Sequence, residues 1–179
     1  MPPDNRRKPL VAVSPYLRQY LADFHRETDV QLAYKDLFRF KSSITFSNVE
    51  GEETLWETVF YEQSDRDVIF QSLRQIYAAL KYNGDLSVME HLFIDRVDLF
   101  PTGNSRPFRV RVMNRINDLF DYFYVKEADA SRIYGLELEH LLSPNKSHYM
   151  VHENTLVEEH ITGIPGNQFI NNYLPKGVQ

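Results

Sequence analysis

The spacing of apolar positions is helical in the first part of the chain and alternating from Leu92 onward. After Ser14-Pro15, read as a helix cap and first helical residue, Leu17, Tyr20, Leu21 and Phe24 recur at helical spacing and predict a first helix of about three turns. Leu32, Leu37, Phe38 and Phe40 predict a second, shorter helix. Ser43–Phe46 and Thr54–Tyr61 are rich in β-branched and aromatic residues and flank Asn48-Val-Glu-Gly51, the pattern of a hairpin. A long amphipathic helix, Asp65–Tyr82, follows, with Ser64 as its expected cap and Asn83-Gly84 as its stop.

From Leu92 the period is two. Leu92–Phe100, Phe108–Met113 and Phe120–Lys126 read as strands, joined by the turn clusters Pro101–Pro107 and Asn114–Asp118. Asp129 caps a helix over Ala130–Leu142, which Ser143-Pro-Asn145 ends. Tyr149–Val151 and Thr155–Val157 read as two short strands, Ile161–Gly166 as a loop and Asn167–Tyr173 as a closing helix. The expected fold is α+β: an antiparallel sheet with a flanking helix, preceded by an N-terminal helical region. Residues 1–88 form the mainly helical part with its hairpin, residues 89–179 the β-rich part, and the two are expected to make one compact unit.

Composition narrows the chemistry. The 179 residues are 42% hydrophobic, and 12 Phe and 11 Tyr against one Trp predict a core packed with aromatic rings. A net charge of −5 works against nucleic acid and anionic membranes as partners. The absence of cysteine removes disulfides, zinc–thiolate sites and thiol catalysis. No apolar run approaches the ~20 residues a membrane span needs, and the basic start Met1–Pro9 is not followed by the apolar stretch of a secretory signal, so a cytoplasmic location is expected. The six histidines are scattered without ligand spacing, which gives no expected metal site, and neither a G-x-S-x-G nor a P-loop is present.

Two charged positions stand out. Lys126 ends the aromatic strand Phe120–Lys126. Glu137 shares a helix stripe with Ile133, Tyr134 and Leu141, where a carboxylate requires a cationic partner. The plain alternative is an ordinary strand lysine and a glutamate at the stripe's edge. Between Asp98 and Asp118 there is no acidic residue, while Arg106, Arg109, Arg111 and Arg115 all occur there. That segment is suited to meet an anion, although a solvated sheet face carrying Arg109 and Arg111 explains two of the four equally well.

The order strand, strand, strand, helix, strand, strand, linker, helix, with Lys126 ending the third strand, resembles the small N-terminal lobe of protein-kinase-like proteins, specifically an uncharacterised bacterial group with atypical motifs. The resemblance covers about Leu92–Tyr173. It implies Lys126 as the phosphate-pairing lysine, Glu137 as its helix partner, Pro101–Pro107 with Gly103 as the loop over the phosphates, and Glu158-Glu-His160 as the hinge against the base, so that Glu158 and His160 join the nucleotide-binding set. Only Gly103 stands where typical members carry a glycine-rich run. The catalytic and metal-holding aspartates of such proteins belong to a second lobe and do not appear after Gly166, so no catalytic residue is assigned and catalysis by this chain alone is not expected. ATP with magnesium is implied only in company with such a lobe. A C-terminal catalytic lobe, another protein or a second copy are the expected partners. The alternative reading is a complete small α+β protein–protein interaction module.

Overall fold

The computed structural model describes residues 9–47, 51, 53–102, 104–164, 169–174 and 177. Its first helix, α1 (Pro15–Asp23), begins as the sequence predicts: the Ser14 hydroxyl accepts the Leu17 N–H at 3.2 Å, and Pro15 occupies the first position. A 3-10 turn, Tyr34–Phe38, stands where the short second helix was expected. The strands β1 (Ser42–Ser47) and β2 (Glu53–Phe60) form the hairpin; of the expected turn Asn48–Gly51, residues 48–50 lie outside the described residues, and Gly51 has a φ of 80°.

Helix α2 (Gln63–Tyr82) starts ahead of the expected cap. The Glu62 carbonyl already accepts the Arg66 N–H at 2.8 Å, which draws Ser64 into the first turn. It ends as predicted, with Asn83 and Gly84 in the left-handed region at φ 51° and 82°. The strands β3 (Leu92–Leu99), β4 (Phe108–Asn114) and β5 (Phe120–Glu127) run as a meander. Helix α3 (Ala130–Leu142) then crosses to the hairpin β6 (Tyr149–His152) and β7 (Thr155–Glu159). A π-helical turn, Phe169–Tyr173, closes the described chain; the expected helix start at Asn167 lies outside it.

Together the strands make one seven-stranded antiparallel sheet in the order β1-β2-β3-β4-β5-β7-β6. Its two faces carry different layers, because neighbouring residues on a strand point opposite ways. Val157 belongs to the larger core, where Ile69, Leu73 and Ile76 of α2 meet Val97, Phe108, Val110, Val112 and Phe123. Leu156 belongs to the second core, where α1 (Leu17, Leu21) and α3 (Ile133, Leu136) pack on Val151. The larger core draws on Leu37, Val59 and Leu73 as well as on Phe108 and Val157, so it spans the boundary drawn between residues 88 and 89. The mainly helical first part also gives two strands to the sheet, β2 joining β3 through Glu57–Leu99 and Thr58–Asp98. Among the described residues, no helix is long and apolar enough to cross a membrane.

Candidate functional site

Strand β5 ends beside the start of α3, and that corner holds a cleft of about 710 Å³. Three pieces of chain give most of its walls, and Leu10 and Leu156 complete them. Asn104, Ser105 and Arg106 come from the loop between β3 and β4, Tyr34 and Phe38 from the 3-10 turn, and Lys126, Asp129, Ser131, Arg132 and Gly135 from the β5–α3 corner. The volume falls in the range of small-molecule sites.

Local structure explains why these side chains meet. The Tyr34 hydroxyl donates to the Arg106 carbonyl at 2.9 Å and to the Ser105 carbonyl at 3.3 Å, tying the loop to the 3-10 turn. Phe38 and Tyr34 both stand edge-on to the buried Phe108 ring, at centroid distances of 4.9 and 5.9 Å. Arg106 adopts a left-handed backbone (φ 39°) and lays its guanidinium over Phe38 at 4.7 Å. Across the cleft, the Asp129 side chain accepts the Ser131 N–H at 2.9 Å and starts α3, which sets Arg132 and Gly135 on the cleft wall.

Lys126 does not pair with Glu137, the partner expected for it. It sits opposite Leu156 on β7, so Glu158 is its diagonal neighbour on the same face, and the Lys126 ammonium donates to Glu158 Oε2. Arg132 reaches in from α3 and donates from Nε to Glu158 Oε1 at 2.6 Å. Glu158 is 4% exposed. Burial alone would raise its carboxyl, but the charge of Lys126 and the bonds from Arg132 and Lys126 outweigh this and hold it below the ordinary glutamate value.

Glu137 is buried as its place in the stripe requires, with a different set of partners. It accepts from the Tyr20 hydroxyl at 2.6 Å, from the Tyr149 hydroxyl and from Arg26 Nε at 3.3 Å. Burial pushes its carboxyl up, and these three donors bring it below the ordinary value. The stripe itself is turned from the one expected. Ile133, Leu136 and Glu137 face inward, while Tyr134 and Leu141 face solvent. The partners are remote in sequence from α3: Tyr20 arrives on α1, Arg26 just after it and Tyr149 on β6.

Of the other predicted residues, Gly103 lies outside the described residues, though its neighbours Thr102 and Asn104 flank the loop and Asn104 lines the cleft. His160 is away from the cleft walls: its N–H donates to the Tyr122 carbonyl at 3.3 Å, and its Nδ1 meets the Tyr124 hydroxyl at 3.0 Å. The Glu159 N–H is likewise taken, by the His148 carbonyl at 3.0 Å. The segment expected to present free backbone donors to a base therefore spends these two on the sheet and its flank.

The sheet face bearing Arg109 and Arg111 differs from a plain solvated surface. Asp98, fully buried, accepts from Thr58 Oγ1 at 2.8 Å, from Arg96 Nε at 3.0 Å and from Arg109 at 2.8 Å. Arg109 also stacks on Trp56 at 4.4 Å and Tyr122 at 5.2 Å, and Arg96 on Phe46 at 4.0 Å. The alternation of Asp98 with Val97 and Leu99 puts it on the face away from the larger core, so its burial was not legible in the sequence. Its arginine partners could be found only from strand register.

Among the described residues, no three histidine, aspartate or glutamate side chains gather to hold a metal ion. The cleft's chemistry is that of an anion site with an aromatic wall: Arg106, Lys126 and Arg132 supply cations, Glu127 and Asp129 set a limit on the net positive charge, and Tyr34 and Phe38 supply flat apolar surface. No protein-family model, no curated protein and no solved structure matches this chain.

Proposed function

We propose that this chain is a non-catalytic, kinase-like small lobe that contributes half of a nucleotide-binding site, in the cleft at the β5–α3 corner. One observation carries the reading. The loop between β3 and β4 and the strand lysine Lys126, separated by some twenty residues of sequence, line one cleft. The connection β3-β4-β5-α3-β6-β7, with β7 beside β5, supports the same reading. The polyphosphate of a nucleotide would meet the cations of the cleft, and a base or ribose would have Tyr34 and Phe38 to lie against. Transfer of the phosphoryl group would require metal-holding and base residues from a partner lobe. Isothermal titration of the chain with ATP is the test: the half-site alone, without a partner lobe or magnesium, is expected to bind one ATP per chain weakly but saturably and without hydrolysis, and no binding at millimolar ATP overturns the reading.

A second reading, an α+β protein-interaction module, is favoured by the outer face of α3. Tyr134, Leu138, Leu141 and Leu142 are 54%, 55%, 75% and 81% exposed and lie on successive turns. Such a patch is the mark of a surface that meets another protein, and a half-lobe would also carry one. Dependence of binding on ATP separates the two: the interaction module needs none.

A further inference from the structure

The cations of the cleft are not equivalent. Glu158 holds Lys126 on one oxygen and the Nε of Arg132 on the other, so the charge of Lys126 is already largely spent inside the sheet. Arg106 makes no ion pair among the described residues; its guanidinium lies over the Phe38 ring, and the residue lines the cleft. It is also held in a left-handed backbone, which a non-glycine residue adopts only when its surroundings enforce it. Here the enforcing contacts are the Tyr34 hydroxyl on the Arg106 carbonyl and the Phe100 N–H on the Pro107 carbonyl, at 2.9 and 3.0 Å.

We infer that Arg106, rather than Lys126, anchors the anion in this cleft, and that the ligand is a polyphosphate whose remaining part lies across Gly135. The inference rests on the phosphate-site reading proposed above. A forked guanidinium presents two parallel donors to phosphate oxygens, and its stacking on Phe38 fixes the fork in advance. On the α3 side Glu127 lines the cleft and the cations Lys126 and Arg132 are held by Glu158, which leaves the Arg106 side for the phosphates. Gly135 supplies the floor. It sits inside α3, where alanine is the better helix former, and a Cβ added to it would meet nothing within 4 Å. Neither packing nor backbone conformation calls for glycine at this position, and its lack of a side chain leaves the cleft wall low enough for a ligand to lie against the helix.

The test is calorimetric titration of the full chain with inorganic tripolyphosphate and, separately, with ATP, with circular dichroism to verify that each variant folds. Arg106→Gly removes the cation while easing the left-handed backbone, and it is expected to weaken both probes at least about tenfold, corresponding to roughly 1.4 kcal/mol. Lys126→Met is expected to weaken them less. Arg115→Gln, which removes an equal charge outside the cleft, is expected to leave both unchanged. Gly135→Leu is expected to weaken ATP more than tripolyphosphate. A loss at Lys126→Met equal to or larger than that at Arg106→Gly overturns the anchor assignment and leaves the nucleotide reading standing, as does an equal loss at Arg115→Gln. Tripolyphosphate binding that depends on Arg106, with ATP bound no more tightly, sinks the nucleotide reading and keeps the anchor. No binding of either probe overturns both.

Discussion

Arg132 and Lys126 share the carboxylate of Glu158, one on each oxygen, and so join α3 to the β5–β7 pair through a single buried charge. A carboxylate that is 4% exposed cannot stand there without cations, since an isolated buried charge is strongly disfavoured. Lys126→Met leaves Glu158 with Arg132 alone. The expected loss is about 1–3 kcal/mol at neutral pH, measured by urea unfolding. Because the folded carboxyl titrates below the ordinary value of 4.5, this loss is present above that pH and shrinks as pH falls below it. A difference that persists undiminished at pH 2.5 would place the stabilisation in packing of the lysine stem instead.

The same sign applies to the chain as a whole at acid pH. Glu137, Glu158 and Glu159 all have carboxyls held below 4.5, so the folded state is favoured above that value and loses support as pH falls through it. At the alkaline end the logic reverses. Burial first, and then Glu137, raise the Tyr149 hydroxyl above its ordinary 10.0, so the unfolded chain ionises it earlier and stability falls as pH rises beyond 10. Thermal melts across pH are expected to show both flanks. Tyr149→Phe should flatten the alkaline one.

Asp98 is the most consequential polar residue of the sheet. Replacing it with alanine leaves Arg96 and Arg109 facing each other at the centre of a strand pair, and the expected loss is about 3–5 kcal/mol. Thr58→Val, which removes one donor to the same carboxylate, should cost about 1 kcal/mol. Urea midpoints of the two variants measure the difference, and comparable losses would contradict the pairing.

Gly135→Ala should stabilise the chain, by about 0.5–1 kcal/mol, since the added methyl meets no atom within 4 Å and the helix gains a better former. A destabilised Gly135→Ala would mean that the surface over α3 is filled in solution.

The outer face of α3 gives a prediction about association. Leu138→Glu and Leu141→Glu alter exposed positions and should leave the unfolding free energy within about 0.5 kcal/mol. If that face meets a partner or a second copy, the same changes shift the sedimentation behaviour of a self-associating chain toward monomer. Sedimentation that is identical for parent and variants, and monomeric throughout, argues against self-association at this face.

Local spacing was enough to locate most elements of this protein. Helical periodicity, a Ser14-Pro15 start, an Asn83-Gly84 stop and the alternation of Val110 and Val112 with Arg109 and Arg111 are properties of neighbouring residues, and the α+β order of helices and strands follows from them. Lys126 was legible as the charge that ends its strand; Glu158 was expected only through the resemblance, as part of a hinge. Their pairing was not legible, because which carboxylate a strand lysine meets depends on β5–β7 register, and Glu137 was claimed first by Tyr20, Arg26 and Tyr149 arriving from α1 and β6. The joining of β1 and β2 to the sheet, the burial of Asp98 between two arginines and the cleft shared by Arg106, Lys126 and Gly135 are long-range arrangements. Residues tens of positions apart meet only when the competing partners of the whole chain are present, and only the packed structure decides among them.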